Sequence, residues 1–474
     1  MEIAGRKEEV EILESLLDKN ESSFVALYGR RRVGKTFLIR QVYANSIIFE
    51  CSGVHGDTMQ QQLENFWRTL NETKPKAKPS LPPKTWIEAF FRLRAILDKQ
   101  KTGKKKVIFL DEISWFETPR YGFLADLDIF WNQYCTKRTD IILVICGSAA
   151  SWIIEKVINN KGGLHNRITN SILLMPLTLG ETKDFFGLKN IKLSLKDIAQ
   201  IYMCLGGVPY YLKDIKPGES VAQIVNQLFY KKQAILKNEF ENLYAALFSN
   251  NTFHEKVVKA LSTKNKGLTR NEIIKVAKVK GGGGLTIALQ ELIQCGFVMP
   301  IYPINKTKED CLYRLIDEYS LFFFKFLKTN NNQTNWSQIT ASATFKIWSG
   351  YAFENLCFKH STQIKKALGI SGVASNEYSY LLKRKGKDKG FQIDMIIDRA
   401  DNCVNVLEAK FYNTEFEVTQ AYARELLHKA TIFTEKTNLN KNVFITMLSV
   451  FGVKKNEHYL SAVTNQLLID DLFT

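Results

Sequence analysis

The segment Gly29-Arg30-Arg31-Arg32-Val33-Gly34-Lys35-Thr36 fits the pattern G-x-x-x-x-G-K-[ST]. It lies between an apolar β-type run, Phe24 to Tyr28, and an apolar-periodic helical segment, Thr36 to Tyr43, which is the context the pattern requires. Glycines let such a loop curl so that its N–H groups and the helix N-terminus face phosphates. Lys35 then meets the β/γ oxygens, and the Thr36 hydroxyl meets Mg²⁺. Gly29 through Thr36 are thus the expected nucleotide-binding residues, with ATP and Mg²⁺ as cofactors. The same residues also fit a plain glycine turn beside a helix.

A second apolar run, Val107 to Leu110, ends in Asp111-Glu112. Acids at the end of a buried strand stand where a phosphate-bound metal sits. This fits a Walker B element: Asp111 holds Mg²⁺ through a water, and Glu112 orients or deprotonates the attacking water. The next run, Ile141 to Cys146, leads into Gly147-Ser148. Ser148 is a candidate γ-phosphate sensor or holder of the lytic water, and a helix-capping serine before Ala149 accounts for it equally well. With Ile47 to Phe49 and a leading helix on Val10, Leu13, Leu16 and Leu17, strands alternate with helices, which predicts a parallel sheet in an α/β fold.

At 474 residues the chain exceeds one ordinary core, and roughly 150 residues per domain predicts two to four domains. Lys and Arg outnumber Asp and Glu by 65 to 48, a charge of +17 that favours an anionic partner such as nucleic acid without separating DNA from RNA. Lysine-rich solubility is the other reading. The cysteines form no C-x-x-C pair, which excludes zinc-ribbon and thioredoxin-like sites and predicts reduced, buried thiols. No apolar signal core and no membrane-length apolar run occur, so a cytoplasmic protein with no membrane partner is expected.

Residues 1–190 are the expected ATPase core. Helical patterning from Leu193 to Phe248 makes 191–250 a helical lid. In 251–327, Leu268, Ile273, Ile274 and Val276, then Leu289, Leu292 and Ile293, form two helical stripes. Apolar runs Phe297 to Ile301 and Cys311 to Leu315 follow, around a polar turn, as in a winged helix. Arg270, Lys275, Lys278 and Lys280 make this segment a candidate DNA contact, although winged helices also serve as packing modules. The Gly281 to Gly284 run reads as a flexible turn, Lys74 to Pro83 as a surface loop, and the Asn-rich 328–340 as a linker. A last α/β domain occupies 341–474.

In that domain Phe391 to Asp398 and Cys403 to Phe411 read as a hairpin. A turn centred on Asp401 sets Asp394 opposite Glu408, and Lys410 joins the same face by the two-residue strand period. Like-charged acids placed together repel, so a divalent cation between them makes the arrangement easier to explain.

The N-terminal motifs resemble archaeal-type P-loop ATPases of the AAA+/STAND group, which share an arginine-bearing loop, a D-E strand, a G-S sensor and a G-G-x-P-x-x-L segment, here Gly206-Gly207-Val208-Pro209-Tyr210-Tyr211-Leu212. The resemblance implies that Pro209 and its neighbours pack a helical lid near the nucleotide. It also implies that Arg167, upstream of Leu173 to Leu177, is an arginine finger acting on a neighbouring subunit of a homo-oligomer. By themselves these residues fit a helix-ending glycine pair before a Pro-started helix, and a surface arginine.

The hairpin resembles the D…(D/E)-x-K core of restriction-endonuclease-like proteins, and Gly350 to Glu354 resembles their preceding helix. That implies Mg²⁺ on Glu354, Asp394 and Glu408, with Lys410 positioning or activating water for phosphodiester attack. No proline precedes Asp394, a departure from the usual pattern. Tyr422 in the next helix is a candidate neighbour, and Lys383 to Lys389 reads as a phosphate-tracking loop or a solvated charge run. The implied whole is an ATPase with a Mg²⁺-dependent DNA nuclease-like domain, for DNA processing or defence. The alternative is a regulatory ATPase switch, binding DNA or protein, whose C-terminal domain is catalytically silent.

Overall fold

The structure, a computed structural model, describes residues 2–73, 81–100, 103–118, 122–159, 166–248, 251–302, 304, 310–328, 335–382 and 390–474. Two compact units divide the chain: Met1–Pro176 with Ala246–Ser249, and Leu177–Ala245 with Asn250–Thr474.

The first unit runs α1 (Lys7–Asp18), β1 (Ser23–Tyr28), α2 (Lys35–Val42), β2 (Ile47–Ser52), α3 (Met59–Glu72), α4 (Trp86–Leu97), β3 (Lys106–Asp111), α5 (Phe123–Gln133), β4 (Ile141–Gly147), α6 (Ala150–Ile153) and β5 (Asn170–Leu173). Its strands form one five-stranded sheet in the order β2-β3-β4-β1-β5, with every pair parallel. Such strands read as unbroken apolar runs because both faces are covered. Phe24, Ala26, Ile108, Leu110, Leu143 and Ile145 enter a core with α3, α4 and α5, whereas Val25, Leu27, Val107, Phe109, Ile142 and Val144 enter a second core with α1 and α2. The expected α/β layer fold is present. Of the expected surface loop, residues 74–80 lie outside the described residues; Leu81 is exposed and Pro83 buried.

The second unit opens with α7 (Leu179–Leu188), α8 (Leu195–Leu205), α9 (Pro209–Leu212), α10 (Val221–Val225) and α11 (Glu239–Leu247). Next come α12 (Asn251–Leu261), β6 (Leu268–Thr269), α13 (Arg270–Ala277), α14 (Gly283–Gln294), β7 (Val298–Ile301) and β8 (Leu312–Leu315). The last three strands form an antiparallel sheet, β6-β8-β7. After α15 (Glu318–Phe322), α16 (Trp336–Ala341), α17 (Ala343–Lys359) and α18 (Ser361–Ala367) come β9 (Ser375–Leu382), β10 (Phe391–Arg399), β11 (Cys403–Lys410), α19 (Gln420–Thr437), β12 (Asn442–Ser449), α20 (Glu457–Ala462) and β13 (Asn465–Leu468). Their sheet, β13-β12-β11-β10-β9, is antiparallel from β9 to β11 and parallel from β11 to β13.

Several expected boundaries move. The division falls after Pro176 rather than at 190, because α7 is anchored in the second unit. Thr178 and Glu181 form its capping box, and the Leu179 N–H donates to His360 Nε2 at 3.0 Å. The lid, helix–hairpin and C-terminal segments then belong to one compact unit. Part of the expected linker is helix α16, capped by Asn335 and fixed by Trp336, which is 1% exposed; residues 329–334 lie outside the described residues. Gly283 and Gly284 begin α14 instead of completing a flexible turn. Leu268 is in a strand, and Val276 is exposed. All eight cysteines are free and seven are buried. Among the described residues no helix is long and apolar enough to cross a membrane.

His360 is fully enclosed, with Nδ1–H donating to Leu356 O at 2.8 Å while Nε2 accepts from Leu179. Burial lowers its pKa from 6.5 to about 4, so the folded protein holds it neutral. A depressed histidine contributes stability that is complete above pH 6.5 and is lost as pH falls toward 4. We expect a loss of about 2 kcal/mol by about pH 5, seen as a falling melting midpoint of the second unit. An unchanged pH dependence in His360→Gln would show that other groups cause it.

Candidate nucleotide site and carboxylate cluster

The loop from Gly29 to Gly34 joins β1 to α2, and Gly29 sits at φ 146° with no room for a side chain: a Cβ would stand 2.3 Å from Leu174 O. The Lys35 ammonium, buried at the start of α2, donates to Gly29 O at 2.9 Å, Arg30 O at 3.0 Å and Ser148 Oγ at 3.1 Å. Its nearest partners are thus neutral acceptors, a setting that anionic phosphate oxygens would improve. Thr36 Oγ1 donates to Asp111 Oδ2 at 2.7 Å, placing two hard oxygens side by side, as Mg²⁺ prefers. Arg30 is buried, while Arg31 is exposed and Arg32 takes φ 74° in the turn. Val33 is buried in the core shared with α1 and α2.

Strand order then explains Ser148. Because β4 lies between β1 and β3, its end places Ser148 between the loop and the acids. Ser148 Oγ donates to Glu112 Oε1 at 2.7 Å, and its N–H donates to Oε2 at 3.2 Å, so one hydroxyl joins Lys35 to Glu112. Glu112 itself is left-handed, at φ 48°, a conformation costing a non-glycine residue about 1 kcal/mol that turns its side chain toward Ser148.

The sequence reading missed Arg6, buried before α1, which donates to Met175 O at 2.5 Å and Val33 O at 3.4 Å and so ties the loop to the segment after β5. Arg167 is exposed in the turn before β5, apart from these contacts. Pro209 opens α9 in the second unit, after Gly206 ends α8.

In the second unit the hairpin register is Met395↔Leu407 through Asp398↔Val404, centred on Asp401. One step further, Asp394 meets the end of β11, where its Oδ2 accepts from the Ala409 N–H at 3.0 Å. Glu408 Oε1 accepts from Lys429 Nζ at 2.9 Å, and Oε2 accepts from Lys410 Nζ at 3.3 Å and the Tyr422 hydroxyl at 3.2 Å. From α17, Glu354 Oε2 accepts from Gln392 Nε2 at 3.2 Å and pairs with Arg314 Nη2 at 3.5 Å. Among the described residues no three of Asp, Glu, His and Cys are grouped to hold a metal ion, and basic side chains pair with Glu354 Oε2 and with both oxygens of Glu408. The carboxylates of Asp394 and Glu408 are hard-oxygen donors of the kind Mg²⁺ takes, and Glu408 would have to release its lysine and tyrosine contacts to hold one.

Burial, then Glu408 and Glu354, drives the Asp394 carboxyl well above its usual range. Burial also raises Glu354, and Arg314 only partly offsets it. Burial by itself would lower Lys410, but Glu408, Tyr422 and Asp394 hold it above the ordinary lysine value. Arg314, Lys266, Gln392 and Lys429 were not singled out in the sequence. Lys429 had a signal, lying two helical turns from Tyr422 on one face of α19. Arg314, the one charge in an apolar strand, had a weaker one. Gly267, at φ 91°, lets the loop that carries Lys266 lie against β8, where a Cβ would stand 2.8 Å from Tyr313 O, and burial lowers the Lys266 ammonium while Glu354 and Asp394 partly offset it. Arg270, expected at an anion-binding face, donates to Gly282 O, whereas Lys275, Lys278 and Lys280 are exposed. Residues 383–389 lie outside the described residues.

Residues 3–215 match the family model of an ATPase domain found predominantly in Archaea. The uncharacterized protein MJECL04 of Methanocaldococcus jannaschii is 24% identical over 439 residues, covering 90% of this chain and 91% of its own. The uncharacterized ATP-binding protein MJ0423 of the same organism is 49% identical over 48 residues, 10% of this chain and 81% of its own. Among solved structures, the Walker-type ATPase paby2304 of Pyrococcus abyssi is 18% identical with a TM-score of 0.49, covering 68% of this chain and 96% of its own. The Aeropyrum pernix ORC2 protein is 14% identical with a TM-score of 0.42, covering 68% and 93%. With Lys35, Thr36, Asp111 and Glu112 gathered inside the matched span, residues 3–215 carry an ATPase domain of the predominantly archaeal type.

Proposed function

We propose that the chain hydrolyses ATP on Mg²⁺ in its first unit and cleaves nucleic-acid phosphodiesters with Mg²⁺ in its second. The observation that carries the second half is the meeting of Asp394 with the end of β11, beside Glu408 and the Lys410 ammonium. In the first unit, Lys35 would exchange its neutral acceptors for phosphate oxygens, and Thr36 and Asp111 would hold Mg²⁺, which would supply positive charge against the phosphates. Glu112 orients the attacking water. Ser148, bonded to both Lys35 and Glu112, relates phosphate occupancy to the position of that base. We assign exposed Arg167 to the nucleotide of a neighbouring copy.

In the second unit Asp394 and Glu408 would hold Mg²⁺, which supplies a polarised phosphate and an activated water. Lys410 places positive charge at the developing phosphorane. The α12 to β8 segment has the helix and strand order of a winged helix, and Lys275, Lys278 and Lys280 are its DNA-facing cations. Reading the chain as a DNA-processing or defence enzyme follows from these two activities together.

The test is cleavage of linear DNA by the full chain with Mg²⁺. Asp394→Asn should abolish cutting, and Lys410→Ala should lower it about 10²- to 10³-fold, the effect of deleting one donor aimed at developing charge, with ATP turnover retained. Unchanged cutting in both variants would sink the assignment of these residues, and no cutting by the parent alongside normal ATP turnover would leave an ATPase switch with a catalytically silent second unit.

A further inference from the structure

Within the second unit an open groove of about 850 Å³ runs between the end of α12, the helical turn Phe323–Leu327, α16 and the first turns of α17. Lys259, Lys325 and Lys328 line it, among the described residues no carboxylate does, and Phe324, Trp348 and Tyr351 supply ring surface. The lysines are exposed, and the Lys328 ammonium lies 5.2 Å from the centre of the Phe324 ring. Trp348 is buried, while Phe324 and Tyr351 are half-buried.

At Tyr351 the groove lining comes within one helical turn of the carboxylate cluster. Tyr351 and Glu354 are neighbours one turn apart on α17, about 4.5 Å along the axis. Asn265, also in the lining, precedes Lys266, whose ammonium is within electrostatic reach of Glu354 and Asp394. Consistent with that placement, burial and the same two acids push the Tyr351 phenol upward.

We propose that this groove binds a single-stranded segment of nucleic acid and leads it to Asp394 and Glu408, a role that rests on the phosphodiesterase reading. Lysines spaced along a channel neutralise successive phosphates, and aromatic rings beside them stack on unpaired bases of any sequence. A duplex keeps its base faces to itself and leaves the rings unused; an acidic peptide uses the lysines alone. The aromatic and cationic lining together therefore select a single strand.

The experiment is fluorescence anisotropy of a labelled oligo-dT 20-mer with the full chain in EDTA, over a range of salt. Lys259→Gln/Lys328→Gln should weaken binding and reduce the log–log salt slope by about 1.4, since each single-strand phosphate contact contributes about 0.7. Tyr351→Ala should weaken binding about five- to 150-fold, the stacking of one base, with the slope unchanged. A melting midpoint within a few degrees of the parent's certifies each fold. Wild-type affinity in both variants overturns the groove, as does equal loss for a duplex of the same length. So does displacement by polyglutamate with no effect of Tyr351→Ala. Because EDTA separates binding from cutting, Asp394→Asn distinguishes the two readings. If that variant still cuts while the groove variants lose oligo-dT, only the phosphodiesterase falls; if it stops cutting while they bind normally, only the groove falls.

Discussion

Glu112→Gln is expected to lower ATP turnover about 10²- to 10⁴-fold, the contribution of a positioned general base, with ATP affinity changed only a few-fold. The split follows from the contacts. Binding rests on the Gly29–Thr36 loop and Lys35, whose ammonium touches Gly29 O, Arg30 O and Ser148 Oγ but not Glu112. The Glu112 carboxylate accepts from the Ser148 N–H and hydroxyl, through a left-handed backbone that aims it at Ser148. Glutamine keeps the length and the geometry but not the basicity. Turnover followed by phosphate release, with affinity from a fluorescent ATP analogue, measures both. Turnover within a few-fold of the parent would remove Glu112 from the chemistry, and equal losses in turnover and affinity would make it a binding residue.

The nucleotide site was legible because each of its parts is a short run with its own backbone signal: a glycine loop, an acid pair closing an apolar strand, a serine closing the next. Which strand ends are adjacent is not local. Only the order β2-β3-β4-β1-β5 shows that Ser148 spans Lys35 and Glu112. The hairpin was similarly legible, since an antiparallel register follows from its turn, and Met395 does pair with Leu407 about Asp401. What period and spacing did not reveal are contacts between distant segments. Arg314 and Lys266 come from the helix–hairpin segment, and Lys429 from a helix beyond the motif. These set basic groups among Glu354, Asp394 and Glu408. The boundary at Pro176 was hidden for the same reason, because α7 is held by His360 from far along the chain.

The basic partner of Glu354 sets the size of the last effect. Arg314 is 1% exposed and pairs with Glu354, itself 9% exposed. For both groups burial is the largest influence and opposes the charged form, lowering the arginine and raising the glutamate. Desolvation therefore outweighs attraction for each ion, so the pair adds little net stability, yet removing one member strands the other's charge. Arg314→Ala should destabilise the second unit by about 3–5 kcal/mol, whereas Arg314→Met with Glu354→Met should recover most of that loss or exceed the parent. Denaturant titration of both variants and of Glu354→Met closes the double-mutant cycle. If Arg314→Ala lies within about 1 kcal/mol of the parent, or the paired change restores nothing, then Arg314 is not the counter-ion that holds Glu354 in the cluster.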